Sequence, residues 1–140
     1  MAEDASGIDD GDRRAIELLI VEFAWQVDHD SADTVHRLFV EDGLLVLGPH
    51  RLDGGSAIAE WGANRAGQER RSMHVCSNIR VTSSGPDLAA ATTYAVIYMA
   101  DRGGPVPSSP LSVGEYHDEF SRGTEGWRFT QREMVMLANR

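Results

Sequence analysis

The stretch from a cap at Asp9 or Asp10 to about Asp28 constrains the rest of the chain most. Turned at about 100° per residue, Ile16, Leu18, Leu19, Ile20, Val21, Phe23, Ala24, Trp25 and Val27 spread over most of a helical wheel. Only Glu22, Gln26 and His29 with their neighbours form a polar wedge. A helix this apolar is expected to be buried on most sides, so the remaining chain has to wrap it. The acidic residues at its start complement the positive end of the helix. Asp28 falls inside the apolar arc, near the angular position of Val21 and Ala24, where a lone carboxylate is costly unless paired or protonated. Two readings stay open. Either Asp28 turns inward to a partner, or it turns to solvent at the helix end or caps the next helix, as Asp30 and Ser31 also can.

The chain beyond Asp28 supplies the wrapping. Ser31 opens a short second helix that ends near Glu41-Asp42-Gly43; a strand is expected at Leu44–Leu47; after a Gly54-Gly55 turn, Ser56 caps a third helix through about Ala66. Strands are then expected at Arg71–Thr82, Ala89–Ala100, Leu111–Arg122 and Trp127–Leu137. The segments 83–87 and 123–126 read as hairpin turns, and 101–110 as the one long loop. Helices first and long sequential strands behind make an α+β fold, three N-terminal helices packed in a curved, mainly antiparallel sheet. Residues 1–9 are small, acidic and aperiodic, and are expected to be a flexible tail; 10–140 form a single domain. A chain of 140 residues buries enough surface to fold without a disulfide or metal.

Composition excludes several classes of function. With 13 basic and 22 acidic residues the net charge is -9, a field that repels a phosphate backbone. Arg65, Arg70 and Arg71 make the only basic cluster, read as a short solvated segment, so no nucleic-acid partner is expected. The single Cys76 leaves neither an internal disulfide nor a multi-cysteine zinc site. No stretch approaches the ~20 apolar residues of a membrane span, and no apolar run follows a basic start. The expectation is a soluble cytoplasmic protein without membrane partners.

Strand parity points to a pocket and a partner. In 71–82, Met73, Val75, Ile79 and Val81 share one face and His74, Cys76, Asn78 and Arg80 the other. The next strand sets Thr92, Tyr94, Val96 and Tyr98 against Ala95, Ile97 and Met99. Both strands have apolar residues on each side, yet the helices suffice for one side only, so the other is expected to pair sheet to sheet as a homodimer. Parity does not decide which face takes the pocket. His74 is either a structural histidine or a catalytic one. His29 and His36 fall on exposed helix faces, His50 in a loop, and His117 outside, opposite in parity to Tyr116 and Asp118. None has ligand spacing, so no metal is expected. Tyr94, Tyr98 and Tyr116 are either hydrogen-bond donors to a substrate or core aromatics with wet tips. Trp61 and Trp127 read as packing residues, Cys76 as a small inert one.

Taken in order, VEFAWQVDHDSADTVHRLFVEDG, LDGGSAIAEW, RSMHVCSNIRV, GEYHDEF and GWRFTQREM resemble the SnoaL-like branch of the nuclear transport factor 2-like superfamily, from about Asp10 to Asn139. The resemblance implies a cone-shaped fold around one internal pocket for an apolar molecule. It extends to scytalone dehydratase, bile-acid dehydratase, polyketide cyclases and steroid isomerases. In the dehydratases an aspartate at the end of the first helix and a histidine on a central strand face each other in the pocket; Asp28 and His74 stand at those positions. Val27 stands where scytalone dehydratase has a tyrosine, and Tyr98 or Met99 near its second catalytic histidine, which points to a different substrate.

The resemblance thus implies a cofactor-independent lyase or isomerase acting on a hydrophobic oxygenated molecule such as a polyketide, steroid or aromatic. Asp28 would fix the tautomer of His74, which removes a proton alpha to a carbonyl or passes one to a leaving hydroxyl. Asn78 with Tyr98 or Tyr94 is expected to donate to the enolate oxygen, Phe23, Val27, Trp61 and Ile97 to exclude water, and Tyr116 to complete the substrate site. Two alternatives share the fold: a non-catalytic binding or dimerisation module, and the small subunit of a ring-hydroxylating dioxygenase.

Overall fold

The computed structural model describes residues 4–101 and 104–139. Helix α1 spans Asp10–Asp28; Asp9 caps it, its carboxylate accepting from the Asp12 N–H at 2.8 Å. The chain continues as a 3₁₀ helix, Ala32–Leu38, strand β1, Phe39–Leu47, and strand β2, His50–Asp53. Helix α2, Gly55–Gly67, and four long strands come next: β3 (Arg70–Gly85), β4 (Leu88–Asp101), β5 (Ser112–Gly123) and β6 (Gly126–Asn139). Ser56 does not cap α2; Gly54 does, at φ 90°, a backbone that a residue with a Cβ adopts only with strain.

The six strands form one sheet in the order β2-β1-β6-β5-β4-β3, antiparallel throughout except that β1 runs parallel to β6. α1 lies across the concave face and drives Ile16, Ile20, Phe23 and Val27 into a core with Val35, Leu45, Ile58, Phe120 and Phe129. Phe23 is the hub: its ring meets Phe39, Tyr116 and Phe129 edge-on at 6.3 Å and stacks on Trp61 at 6.4 Å. Burying such a ring stabilises the fold by roughly 1.5–3 kcal/mol. α2 crosses the 3₁₀ helix so closely at Gly62 that a Cβ there would lie 2.1 Å from the Ala32 carbonyl oxygen.

Two expectations need correction. α1 is not covered on most sides: Leu18, Val21 and Trp25 are more than half exposed. They form a stripe at helical spacing that points away from the sheet, which embraces only the opposite flank. In β3 the strict alternation of faces fails at a bulge between Ser77 and Arg80, where Asn78 adopts φ 54°. The extra residue shifts the pleat by one, so Ile79 and Val81 join His74 and Cys76 against the core while Ser77 and Asn78 are exposed.

Of the segment 1–9, residues 4–9 lie against the body of the protein. Ser6 accepts from the Ser83 N–H at 2.8 Å, Asp4 pairs with Arg13, and Ile8 packs on the core. Residues 1–3, and residues 102–103 of the expected loop, lie outside the described residues. No described helix is long and apolar enough to cross a membrane.

Candidate active site

The last residue of α1 and the inner face of β3 meet at one carboxylate. Period-two spacing points Ser72 and His74 the same way, toward Asp28. The Ser72 hydroxyl and His74 Nδ1 both donate to Asp28 Oδ1 at 2.7 Å, and the His74 backbone N–H donates to Oδ2 at 2.8 Å. Arg65, in the last turn of α2, donates from Nη2 to the Ser72 oxygen at 2.8 Å, so four groups form a continuous relay ending at the imidazole. The His74 and Asp28 side chains are only 7% and 12% exposed. Burial pushes the Asp28 carboxyl upward, but the bonds and charge from His74 and the hydroxyl of Ser72 outweigh it and hold Asp28 below the usual carboxylate range. An ionised Asp28 requires a proton on Nδ1, which leaves Nε2 as the ring nitrogen of His74 without a partner among the described residues.

His74 lines a cavity of about 650 Å³ between α2 and the concave sheet. Phe23, Val27, Ile97, Tyr116 and Met134 form its buried apolar interior. α2 contributes a stripe at helical spacing, Ala57, Glu60, Trp61, Asn64 and Arg65, followed by its C-cap Gln68. The exposed Glu60, Asn64 and Gln68, with His50 from β2, make a polar rim. Burial pushes the Tyr116 hydroxyl up to about 12, so at neutral pH it remains a donor. The Cys76 thiol is likewise pushed up by burial and carries little thiolate.

Behind the interior lies a second charged pair. Arg132 donates to Asp118 from Nε at 3.0 Å and from Nη2 at 3.4 Å, and neither side chain is exposed. The guanidinium sits 3.5 Å from the Tyr116 ring centre and 4.5 Å from that of Phe23, so two walls of the cavity rest on a buried cation. Burial pushes the Asp118 carboxyl up to about 6, with Arg132 pulling against it.

Of the residues singled out in the sequence, His74, Phe23, Val27, Trp61, Ile97 and Tyr116 line this cavity, and Asp28 lies directly behind His74. Asn78, Tyr94 and Tyr98 do not. Asn78 sits on the bulge; Tyr94 pairs with Ser77 and Tyr98 with Met73 on the convex face, because β4 turns Ala95, Ile97 and Met99 inward. His50 belongs to a strand at the rim rather than to a loop. Sequence reasoning missed Arg65 and Ser72, although the period of α2 and the parity of Ser72 with His74 both carried the signal. No group of three or more histidine, cysteine or acidic side chains among the described residues is placed to hold a metal ion.

An open, curved sheet wrapped on one long helix over an apolar hollow is the nuclear transport factor 2-like fold, and the structural likenesses agree. A nuclear transport factor 2-like protein of cystatin-like fold from Novosphingobium aromaticivorans is 25% identical over 93% of this chain and 84% of that one, with a TM-score of 0.77. A candidate aromatic ring hydroxylase from the same organism is 27% identical over 94% of this chain and 92% of that one, with a TM-score of 0.82. A candidate scytalone dehydratase, again from that organism, is 22% identical over 91% and 85%, with a TM-score of 0.79, a likeness of fold alone. The sequence profile of the SnoaL-like domain matches residues 11–133, and the chain belongs to that family. No curated protein matches the sequence.

Proposed function

We propose that the protein is a cofactor-independent acid–base lyase or isomerase acting on a hydrophobic oxygenated small molecule. One observation carries this reading: a buried aspartate holds one nitrogen of His74 at 2.7 Å while the other faces an apolar-lined hollow of about 650 Å³. A purely structural pair would have both ring nitrogens satisfied by protein in a filled core. In the proposed reaction Nε2 removes a proton from the carbon alpha to a carbonyl, and the C–H electrons form the enolate. The Tyr116 hydroxyl donates to the enolate oxygen from within the cavity. His74 then passes the proton to a beta hydroxyl, which leaves as water with the C–O electrons, giving an enone. Asp28 stabilises the imidazolium between the two transfers, and the apolar walls keep bulk water from quenching it. Return of the proton to a different carbon would make the same site an isomerase.

The test is turnover of a panel of cyclic beta-hydroxy ketones, monitored by enone absorbance. Asp28→Asn and His74→Ala are expected to lose about 10²–10⁴-fold. Unchanged turnover in both removes the dyad from the chemistry. Co-purification with a larger iron–sulfur subunit would instead favour the dioxygenase small-subunit reading.

We further propose that the convex face pairs with a second copy. Met73, Val75 and Tyr94 are exposed there beside Val96 and Tyr98, an apolar surface on strands that are apolar on both sides. Light scattering on a Val75→Asp/Val96→Asp variant is expected to give a monomer and the parent chain a dimer.

A further inference from the structure

Arg65 is an unusual residue to find on the wall of an apolar cavity. It is 7% exposed, and among the described residues its one hydrogen bond goes to a neutral hydroxyl, that of Ser72. Among the described residues no carboxylate lies within ion-pair distance of it. Burial and the neighbouring Arg70 both disfavour its charge, and Asp28 and Asp30 offset them only in part. A guanidinium does not shed its proton at ordinary pH, so it stays charged there with most of its five donors uncommitted. Its uncommitted donors face the cavity rather than protein acceptors, so an anion entering the cavity would pair with them. Glu60, the one acid among the described residues that line the cavity, stands earlier on α2 and is exposed at the rim.

We propose that the cavity recognises an apolar molecule bearing a carboxylate, and that Arg65 binds that carboxylate. The proposal rests on the reading of the cavity as a small-molecule site and names the class of molecule. Three features select the chemistry. The guanidinium fork matches a carboxylate with two parallel N–H donors. Asp28, one hydroxyl away, repels a dianion such as a phosphate monoester more than it repels a single charge. The walls beyond the fork are aromatic and aliphatic, so the body of the ligand is apolar.

The strand sets the spacing. Ser72 and His74 are two residues apart on one face of β3, about 7 Å. A carboxylate seated at Arg65 therefore anchors the substrate on the side of β3 that also carries His74. Arg70 also lines the cavity and is less buried than Arg65.

The test is calorimetric binding of 2-naphthoate and of its neutral isostere 2-naphthamide to the full chain at pH 7. The wild-type protein is expected to prefer the naphthoate at least tenfold. Arg65→Gln is expected to abolish the preference, weakening naphthoate binding at least tenfold more than naphthamide binding. Arg65→Lys, which keeps the charge but not the fork, is expected to reduce the preference at least threefold; it serves as the decisive variant if Arg65→Gln does not fold. Equal affinity of the wild type for both probes overturns the carboxylate proposal and leaves the cavity reading standing, as does a preference that survives unchanged in the folded variant. Binding of neither probe overturns both.

Discussion

Replacing Asp28 by asparagine preserves the shape of the side chain and exchanges one acceptor oxygen for a donor. Three donors converge on the carboxylate: the Ser72 hydroxyl, His74 Nδ1 and the His74 backbone N–H. If the amide oxygen takes the place of Oδ1, the new NH₂ faces the His74 backbone N–H, donor against donor. If the amide is flipped, the NH₂ faces Nδ1, the imidazole must accept there, and its proton moves to Nε2. The nitrogen that faces the cavity is then a donor and has no lone pair for a substrate proton. Hydrogen bonds to a charged group contribute about 1.5–3 kcal/mol each, so losing one and weakening two should cost about 2–4 kcal/mol. Urea unfolding reads that loss, and long-range ¹⁵N correlation spectra of the imidazole read the tautomer. The pH dependence has a fixed sign. A carboxyl held below its unfolded value of about 3.9 contributes stability above that pH, and the contribution is lost as pH falls through the depressed value. The gap between wild type and Asp28→Asn is therefore expected to close below about pH 4. An unchanged unfolding midpoint at pH 7, with the same His74 tautomer in both proteins, would refute the reasoning.

The packing and the buried charges set further outcomes. Asp118→Leu removes both acceptors of Arg132 and strands it in the core, and is expected to cost about 3–5 kcal/mol, whereas the double change Asp118→Leu/Arg132→Met should restore most of it; a double variant no more stable than the single one contradicts this. The Asp118 carboxyl is expected to titrate by ¹³C NMR near 6, so the stability it contributes is greatest below about pH 4 and is lost as pH rises through 6; a midpoint below 4 contradicts it. Gly62→Ala forces a methyl group against the Ala32 carbonyl and is expected to lower stability by about 1–3 kcal/mol, despite the helix preference for alanine; a raised melting temperature contradicts it. Phe23→Ala, which removes the hub of the aromatic cluster, is expected to cost about 3–5 kcal/mol and to abolish apolar ligand binding.

The fold is legible in the sequence because its strongest signals are local and periodic. The apolar arc of α1 and the four long β-patterned segments suffice to give helices first and a curled antiparallel sheet behind. Asp28 stands out for a physical reason, a carboxylate on an apolar arc, and parity separates His117 from Tyr116 and Asp118. What escapes depends on one-residue shifts and on pairings distant in sequence. The bulge at Asn78 adds a single residue, which no alternation count detects, and it moves Ile79 and Val81 to the face of His74. Parity within β4 fixes two faces but not which one is concave, so it cannot show that Tyr94 and Tyr98 point away from the pocket. Register between β3 and β4 decides that, and it joins His74 to Ile97 across the strands. Arg65 reads as part of a solvated basic segment when 65–71 is taken alone; only the helical period from Ala57 and Trp61 sets it on the cavity face, and the distant Ser72 supplies its partner.

Hydrogen–deuterium exchange at carbon tests the central claim most directly. In D₂O, with 1-tetralone as an apolar ketone of cavity size, proton NMR tracks loss of the C–H signal alpha to the carbonyl. If His74 presents an unprotonated nitrogen to a dry hollow, the wild-type protein should accelerate that exchange at least ~10²-fold over buffer and His74→Ala should return it to the buffer rate. Exchange at the buffer rate in the wild type, or an equal acceleration without the imidazole, contradicts the account.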